Sequence, residues 1–380
     1  QNFNISVFAD DAFMEKALGI DQNPKYKLIN PRTFAEKVGA RPVEFVDIHR
    51  QVVLPTEAVW GEVDARELFR EIVHGAWDSG DPGMIFKSNL NASNPLLGVE
   101  IEVAGYKTRY TYRAVNPCSE IVMSPFEVCN LTHINLVKFV RDGCSGKSLE
   151  EKLGCIDWEE LAKTARIAVR FLDDAIEQSR TGVEIVDAMN RATRRIGVGV
   201  MGVAELLIKL DIPYASWEAV ELINRIMGWI YVNALDESAE LARGRGSFKF
   251  FRHSIYARGE IPVLKYQEYV WSRWERIKHV YPHELKVAGD KLYNITMRTR
   301  QWLRPYLERL SEKVKHGVRN LAVLTIAPTG RTSILAGTTS GVEPVFALAF
   351  LRNVTVGTLV EYYEPGIELL KSRGLWTPQV

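Results

Sequence analysis

Arg195-Ile196-Gly197-Val198-Gly199-Val200-Met201-Gly202 spells G-x-G-x-x-G, the spacing with which a strand-to-helix turn holds a dinucleotide. Such a fingerprint follows an apolar strand. Here Asn190-Arg191-Ala192-Thr193-Arg194-Arg195 precedes it, reading as the end of a polar helix. The glycines therefore predict close helix packing, with a nicotinamide-binding fold as the lesser alternative. Downstream, residues 321–326 read as an apolar strand, and Ala327-Pro328-Thr329-Gly330-Arg331-Thr332-Ser333 as a turn before the apolar Ile334-Leu335-Ala336. Upstream, residues 157–180 read as a helix. Asp157 with Glu160 three later resembles a capping box, and Leu161, Ala165, Val169, Leu172 and Ile176 recur on one face as core. Asp173 and Asp174 point about 100° apart beside that stripe, which favours a solvated face over a working carboxylate pair.

Further out, residues 10–17 and 63–77 predict helices, and Ser79-Gly80-Asp81-Pro82-Gly83 predicts a turn. Met84-Ile85-Phe86 is a short apolar run that Asn89, Asn91, Asn94 and Pro95 end in a loop. A polar β-type stretch, residues 108–115, leads into Asn116-Pro117-Cys118-Ser119-Glu120. Strand-like runs alternate with helix-length segments, so the fold class is α/β, with a largely parallel sheet or barrel.

The 380 residues, 46% hydrophobic and 25% charged, exclude disorder, collagen and small disulfide scaffolds. A formal charge of +1, from 48 Lys and Arg against 47 Asp and Glu, gives no global field toward nucleic acid, membrane surface or polyanion. No apolar run approaches a membrane span, and Gln1-Asn2-Phe3-Asn4-Ile5-Ser6-Val7 lacks a basic segment leading into an apolar one, so a cytoplasmic protein without membrane attachment is expected. The start lacks an initiator Met and opens on an alternating run, as a piece of a longer chain would. Residues 265–319 carry 13 Lys and Arg against 6 Asp and Glu, with Tyr266, Tyr269, Trp271, Trp274 and Tyr281 among them. Helical spacing of these aromatics predicts an inserted helical pair packed on the body, and a nucleic-acid surface is the minor alternative.

Cysteines stand at 118, 129, 144 and 155, without the C-x-x-C or His spacing of a structural zinc site. Cys144 and Cys155 flank an excursion over residues 143–154; they either close it with a disulfide or stand as two free loop thiols. In an extended or looped segment Asn116, Cys118 and Glu120 share one side, a period of two that gathers an amide, a thiol and a carboxylate. An amide can hold two hydroxyls, a carboxylate can take a proton from one, and a thiol can act as nucleophile or hydrogen donor. Cys129 can supply a second thiol; buried structural cysteines are the plainer reading. The turn over residues 328–333 offers backbone N–H groups and hydroxyls, a natural phosphate cradle without a Walker A ending, or else a plain turn.

Taken together, Asn116-Pro117-Cys118-Ser119-Glu120, Val128-Cys129-Asn130-Leu131 and Ile134-Asn135-Leu136 resemble the active-site loop of the ribonucleotide reductase catalytic subunit. Asn2-Phe3-Asn4-Ile5-Ser6-Val7, Gly80-Asp81-Pro82-Gly83, the 195–202 stretch, Ala327-Pro328-Thr329-Gly330 and Gly341-Val342-Glu343-Pro344 resemble family motifs in the same order. The resemblance implies a ten-stranded α/β barrel with a central finger loop, here a partial catalytic barrel over residues 1–380. A small Cys-containing insertion at residues 140–156 and a helical, basic-aromatic insertion at residues 252–319 would interrupt it. It makes the G-x-G-x-x-G a family helix feature without dinucleotide.

The same resemblance implies that a radical on Cys118 abstracts the 3′ hydrogen of a ribonucleotide while Glu120 takes the 3′-hydroxyl proton and Asn116 holds the ribose hydroxyls. Cys129 would be one member of the redox pair that protonates the departing 2′-hydroxyl and ends as a disulfide. Pro328, Thr329, Gly330, Arg331, Thr332 and Ser333 would bind substrate phosphates, with Arg331 standing where many relatives have a small hydroxyl residue. No metal ligand is expected. The Cys118-to-Cys129 spacing resembles adenosylcobalamin-dependent enzymes; a separate diiron or manganese radical subunit is the alternative. Implied partners are a ribonucleoside di- or triphosphate, a thioredoxin-like or dithiol reductant, the remaining N- and C-terminal portions of the enzyme, and a second copy in a homodimer. The family's partner for Cys129 lies on an early strand, and no cysteine precedes Cys118. The chain is therefore expected to need missing segments for turnover. A fragment serving as a non-catalytic binding or regulatory module is the remaining alternative.

Overall fold

The computed structural model describes residues 5–39, 55–141, 143–144, 148–354 and 357–377. Asn2, Phe3 and Asn4 of the opening motif lie outside the described residues. The chain opens with β1 (Ser6–Ala9), α1 (Asp11–Ala17), β2 (Lys25–Ile29), α2 (Pro31–Val38), β3 (Val59–Asp64), α3 (Ala65–Ser79), β4 (Gly83–Phe86) and α4 (Lys87–Ala92). β1 runs parallel to β4 and β2 antiparallel to β3, over a small core of Ala9, Phe13, Ala65 and Ile72. Asp10 and Asp64 cap α1 and α3 by accepting first-turn N–H groups. The loop expected at Asn89 and Asn91 is instead helix α4. Asn91 is buried, accepting the Tyr112 N–H at 2.9 Å and donating to the Tyr112 carbonyl at 3.1 Å, so a tertiary contact overrides its turn preference.

Next come the hairpin β5 (Glu100–Val103) and β6 (Tyr106–Arg109), the short hairpin β7 (Ala114–Val115) and β8 (Val122–Met123), and β9 (Leu131–Asn135). The β-type stretch expected over 108–115 is broken between β6 and β7. α5 (Leu149–Leu153), α6 (Trp158–Gln178) and α7 (Glu184–Thr193) lead to β10 (Gly197–Met201), followed by α8 (Val203–Lys209) and α9 (Trp217–Arg245). The predicted stripe of α6 is buried throughout, and Asp157 caps it. Residues 265–319 are occupied by α10 (Pro262–Ile277) and α11 (His283–Val314). Arg273 and Arg276 pair there with Glu15 of α1, and Trp271 packs on Tyr293 and Trp274 on Tyr281, so these charges and rings are engaged in packing. α12 (Thr332–Ala336), the antiparallel pair β11 (Ala349–Val354) and β12 (Gly357–Tyr362), and α13 (Glu364–Ser372) complete the chain.

The glycine-rich stretch is a fully buried strand, and this corrects the helix-packing expectation. β10 pairs in parallel with β9, and on its other side Val198 N–H donates to the Val323 carbonyl at 2.8 Å while Thr325 N–H donates to the Val198 carbonyl at 3.2 Å. Residues 321–326 thus run parallel beside β10, and Leu321 and Val323 join the main core. Local composition misleads here because glycine is a poor strand former; hydrogen bonding on both flanks makes the strand. The fold is mixed α/β. Among the described residues the named strands pair only in twos, and no closed barrel forms.

Asp173 is also corrected: it is not solvated but 0% exposed. It accepts from Arg194 at 2.6 Å, Arg245 at 2.9 Å and Arg319 at 3.2 Å, tying α6 to the ends of α7 and α9 and to the start of the 321–326 run. Cys144 and Cys155 form a disulfide, and both are buried. No described helix is long and apolar enough to cross a membrane.

Candidate active site

β7 and β8 form a finger whose loop, residues 116–121, is drawn shut by its own first residue. Asn116 N–H donates to the Ile121 carbonyl at 3.2 Å, and Asn116 Oδ1 accepts the Ile121 N–H at 3.0 Å. Ser119 N–H donates to the Asn116 carbonyl, and Ser119 takes a left-handed φ of 65°. The segment is therefore a tight loop, the looped form of the expected segment. Asn116 spends its side-chain carbonyl oxygen inside the loop. Cys118 sits exposed in this loop.

Beneath the finger lies the parallel sheet, where the glycines matter through what they leave room for. Gly197 stands opposite Leu131 and Gly199 opposite His133. A Cβ on Gly197 would come within 2.7 Å of Leu131 and 2.8 Å of Thr325; one on Gly199 would come within 2.6 Å of His133 and 3.1 Å of Thr325. Side chains from both neighbouring strands thus lie across β10 where it has none. Thr325 Oγ1 donates to the Glu120 carbonyl at 3.0 Å, docking the finger onto the 321–326 run.

Four groups act together on the half-buried Cys129. Burial holds its thiol above its ordinary value, the Glu120 and Glu127 carboxylates and the Cys118 thiol add to this, and the Arg195 guanidinium opposes it. Cys129 Sγ also lies 3.9 Å from Met123 Sδ on β8. Cys129 thus lies within electrostatic reach of both Cys118 and Glu120, with Asn116 at the loop's base. His133 joins them: burial lowers its imidazole below the usual value while Glu120 pulls it up.

A buried charge network supports this group. The Glu127 side chain is fully buried and meets Arg195 at 3.2 Å. Glu127 also accepts from Tyr110 at 2.7 Å and from Ser124 N–H at 2.8 Å, while Arg195 donates to Tyr110 at 3.2 Å and Tyr112 at 2.9 Å. Burial works against the Arg195 charge, but Glu127 and the two tyrosines hold its pKa well above the ordinary value. The pair clamps the foot of the finger to the start of β10, with every partner hydrogen-bonded, as a buried ion pair requires.

The 328–333 turn follows the end of the 321–326 run. Thr329, with a left-handed φ of 57°, accepts the Gly341 N–H at 2.7 Å, and Ser333 Oγ lies 3.0 Å from Ser340 Oγ. Thr329 and Ser333 are thereby turned inward, leaving Pro328, Gly330, Arg331 and Thr332 exposed. Beside the turn, Gly202 at the end of β10 has a φ of 81°, and its N–H donates to the Thr339 carbonyl at 2.8 Å.

His133, Thr325, Glu127 and Arg195 escape sequence reasoning. Alternation along β9 was the one available signal for His133, since Cys129, Leu131 and His133 fall on alternate residues. The pairing of Glu127 with Arg195, 68 residues apart, has no local signature.

Residues 1–380 match the family described as "Ribonucleotide reductase, barrel domain". A "Vitamin B12-dependent ribonucleoside-diphosphate reductase" of Mycobacterium tuberculosis is 33% identical over 379 residues, covering 100% of this chain and 40% of the relative. A relative of the same description from Thermoplasma acidophilum is 33% identical over 357 residues, covering 94% of this chain and 33% of the relative. A "Ribonucleoside-diphosphate reductase subunit alpha" of Chlamydia muridarum is 29% identical over 385 residues, covering 98% of this chain and 32% of the relative. The chain thus spans 32 to 40% of the length of these relatives.

Proposed function

The chain belongs to the ribonucleotide reductase barrel-domain family, and from that premise we propose that the finger and the sheet beneath it reduce ribonucleotides to 2′-deoxyribonucleotides, supplying DNA precursors. The observation that carries this reading is the convergence of an exposed Cys118 with Glu120 and Cys129 on one electrostatic neighbourhood.

In this reading a radical on Cys118 Sγ takes the 3′ hydrogen atom of the ribose, and Glu120 accepts the 3′-hydroxyl proton. The 2′ C–O bond breaks, and the hydroxyl leaves as water with a proton from a thiol. Two thiols give up two electrons and join as a disulfide, and Cys118 returns a hydrogen atom to C3′. Cys129, kept protonated at neutral pH by its burial and acidic neighbours, is suited to donate that proton. The second thiol comes from outside this chain, since Cys144 and Cys155 are bonded to each other. A thioredoxin-like or dithiol reductant then reopens the disulfide. The Asn116 amide nitrogen holds a ribose hydroxyl. The exposed edge of the turn, Gly330, Arg331 and Thr332, takes the phosphates.

The B12-dependent relatives favour adenosylcobalamin, which when bound supplies the initiating radical; a diiron or manganese subunit is the alternative. The ten-stranded barrel of the whole enzyme belongs to the same proposal, with β9, β10 and residues 321–326 among its parallel staves and residues 140–156 and 252–319 as additions to it. A water-poor barrel interior protects a sulfur radical and strengthens the Glu120 and Asn116 hydrogen bonds.

The test is ribonucleotide reduction by the full-length enzyme with adenosylcobalamin and a dithiol, beside Cys118→Ser. Deoxyribonucleotide is expected from the parent and none from the variant, whose thermal melt should match because Cys118 is exposed. Product undiminished in Cys118→Ser would sink the thiyl assignment.

A further inference from the structure

His133 lies across β10 in the space left by Gly199, whose added Cβ would sit 3.0 Å from His133 Nε2. Glu120, docked through its carbonyl to Thr325, is close enough for its charge to act on this imidazole. Yet His133 Nε2 and Glu120 Oε2 are both buried and both without a hydrogen-bond partner. Each orphaned atom costs free energy that the fold recovers only when a partner arrives. Their chemistry is complementary: a carboxylate oxygen only accepts, whereas a neutral imidazole carries one N–H that donates. A hydroxyl group, donor and acceptor at once, satisfies both.

We propose that His133 is a substrate-binding residue whose Nε2–H donates to the oxygen of the same ribose hydroxyl whose proton Glu120 Oε2 accepts. This rests on the ribonucleotide reading above and adds to it a second contact on the 3′ oxygen. As the proton moves to Glu120, negative charge grows on that oxygen, and a donor already aimed at it from a dry site stabilises the change without reorganisation. It also explains Gly199: a side chain there would push the imidazole off the sheet and away from the finger.

The test measures equilibrium binding of a ribonucleoside diphosphate and of its 3′-deoxy analogue to the full-length enzyme. The parent should prefer the ribonucleotide, and His133→Ala should cut that preference by about tenfold while binding the 3′-deoxy analogue as the parent does. His133→Gln, whose amide nitrogen reaches toward the Nε2 position, should restore most of the preference; this variant also decides the matter if the alanine protein does not fold. A preference unchanged in both variants overturns the role of His133 alone. A parent enzyme indifferent to the 3′-hydroxyl overturns the ribonucleotide reading and this inference with it.

Discussion

Cys129 has Glu127 and Arg195 of opposite charge acting on it from the same buried pair. Neutralising either one shifts the thiol in a predictable direction. In a Cys118→Ser background, Glu127→Gln should lower the Cys129 pKa, because Arg195 is left unopposed, and speed its alkylation at neutral pH several-fold. Arg195→Gln should raise it and slow alkylation. Opposite signs from the two variants, read as alkylation rate against pH, separate charge from simple loosening, which speeds both. At this scale the motif spacing made Asn116, Cys118, Glu120 and Cys129 legible as candidates. The structure adds that Asn116 spends its oxygen on Ile121, a bond no motif announces. A single histidine on a strand reads as core, and only its orphaned nitrogen above Gly199 marks His133 as different.

Strand β10 shows how an element can be misread from its own residues and still be well determined. Its glycines weaken any local preference for strand, and the polar helix before it suggests more helix. The ladder to β9 and the bonds to residues 321–326 decide otherwise, and both partners are remote in sequence. Gly199→Ala should therefore destabilise the protein by about 1–3 kcal/mol through overpacking against His133 and Thr325, measured as the urea midpoint at constant slope. Gly61 on β3, with nothing near its Cβ direction, has room for the same change, so space rather than residue type is decisive. The helix over 157–180 was legible because one apolar face and one cap suffice to specify it, whereas α4 depends on the contact of Asn91 with Tyr112.

For the whole molecule, Asp173 is the ionic centre. Burial alone would raise its pKa, but Arg194, Arg319 and Arg245 outweigh burial and hold it below the usual carboxylate value. A depressed folded-state pKa contributes stability that is complete above the unfolded value, about 3.9, and lost as pH falls through the folded one. Asp173→Asn should cost about 3–5 kcal/mol at neutral pH, by leaving the buried Arg194 guanidinium with only the half-exposed Glu177 as its anion, and should flatten the acid limb of stability below about pH 4. Urea denaturation of parent and variant from about pH 7 down to about pH 2 checks both. From sequence, a carboxylate on a helix flank reads as solvated, since its three arginines arrive from residues 194, 245 and 319. The closed barrel was an expectation by resemblance alone, because strand pairing order has no local code, and among the described residues the named strands pair only in twos.

The buried Cys144–Cys155 bridge imposes a discrimination problem on the proposed chemistry. An enzyme that makes a disulfide at each turnover lives with a reductant strong enough to open it, and that reductant meets two cystines in one protein. Thiol exchange needs a line of approach to sulfur. One bridge sits behind packed side chains and the other, under that proposal, would form beneath a finger with an open tip, so that accessibility rather than chemistry would decide which is recycled and which endures.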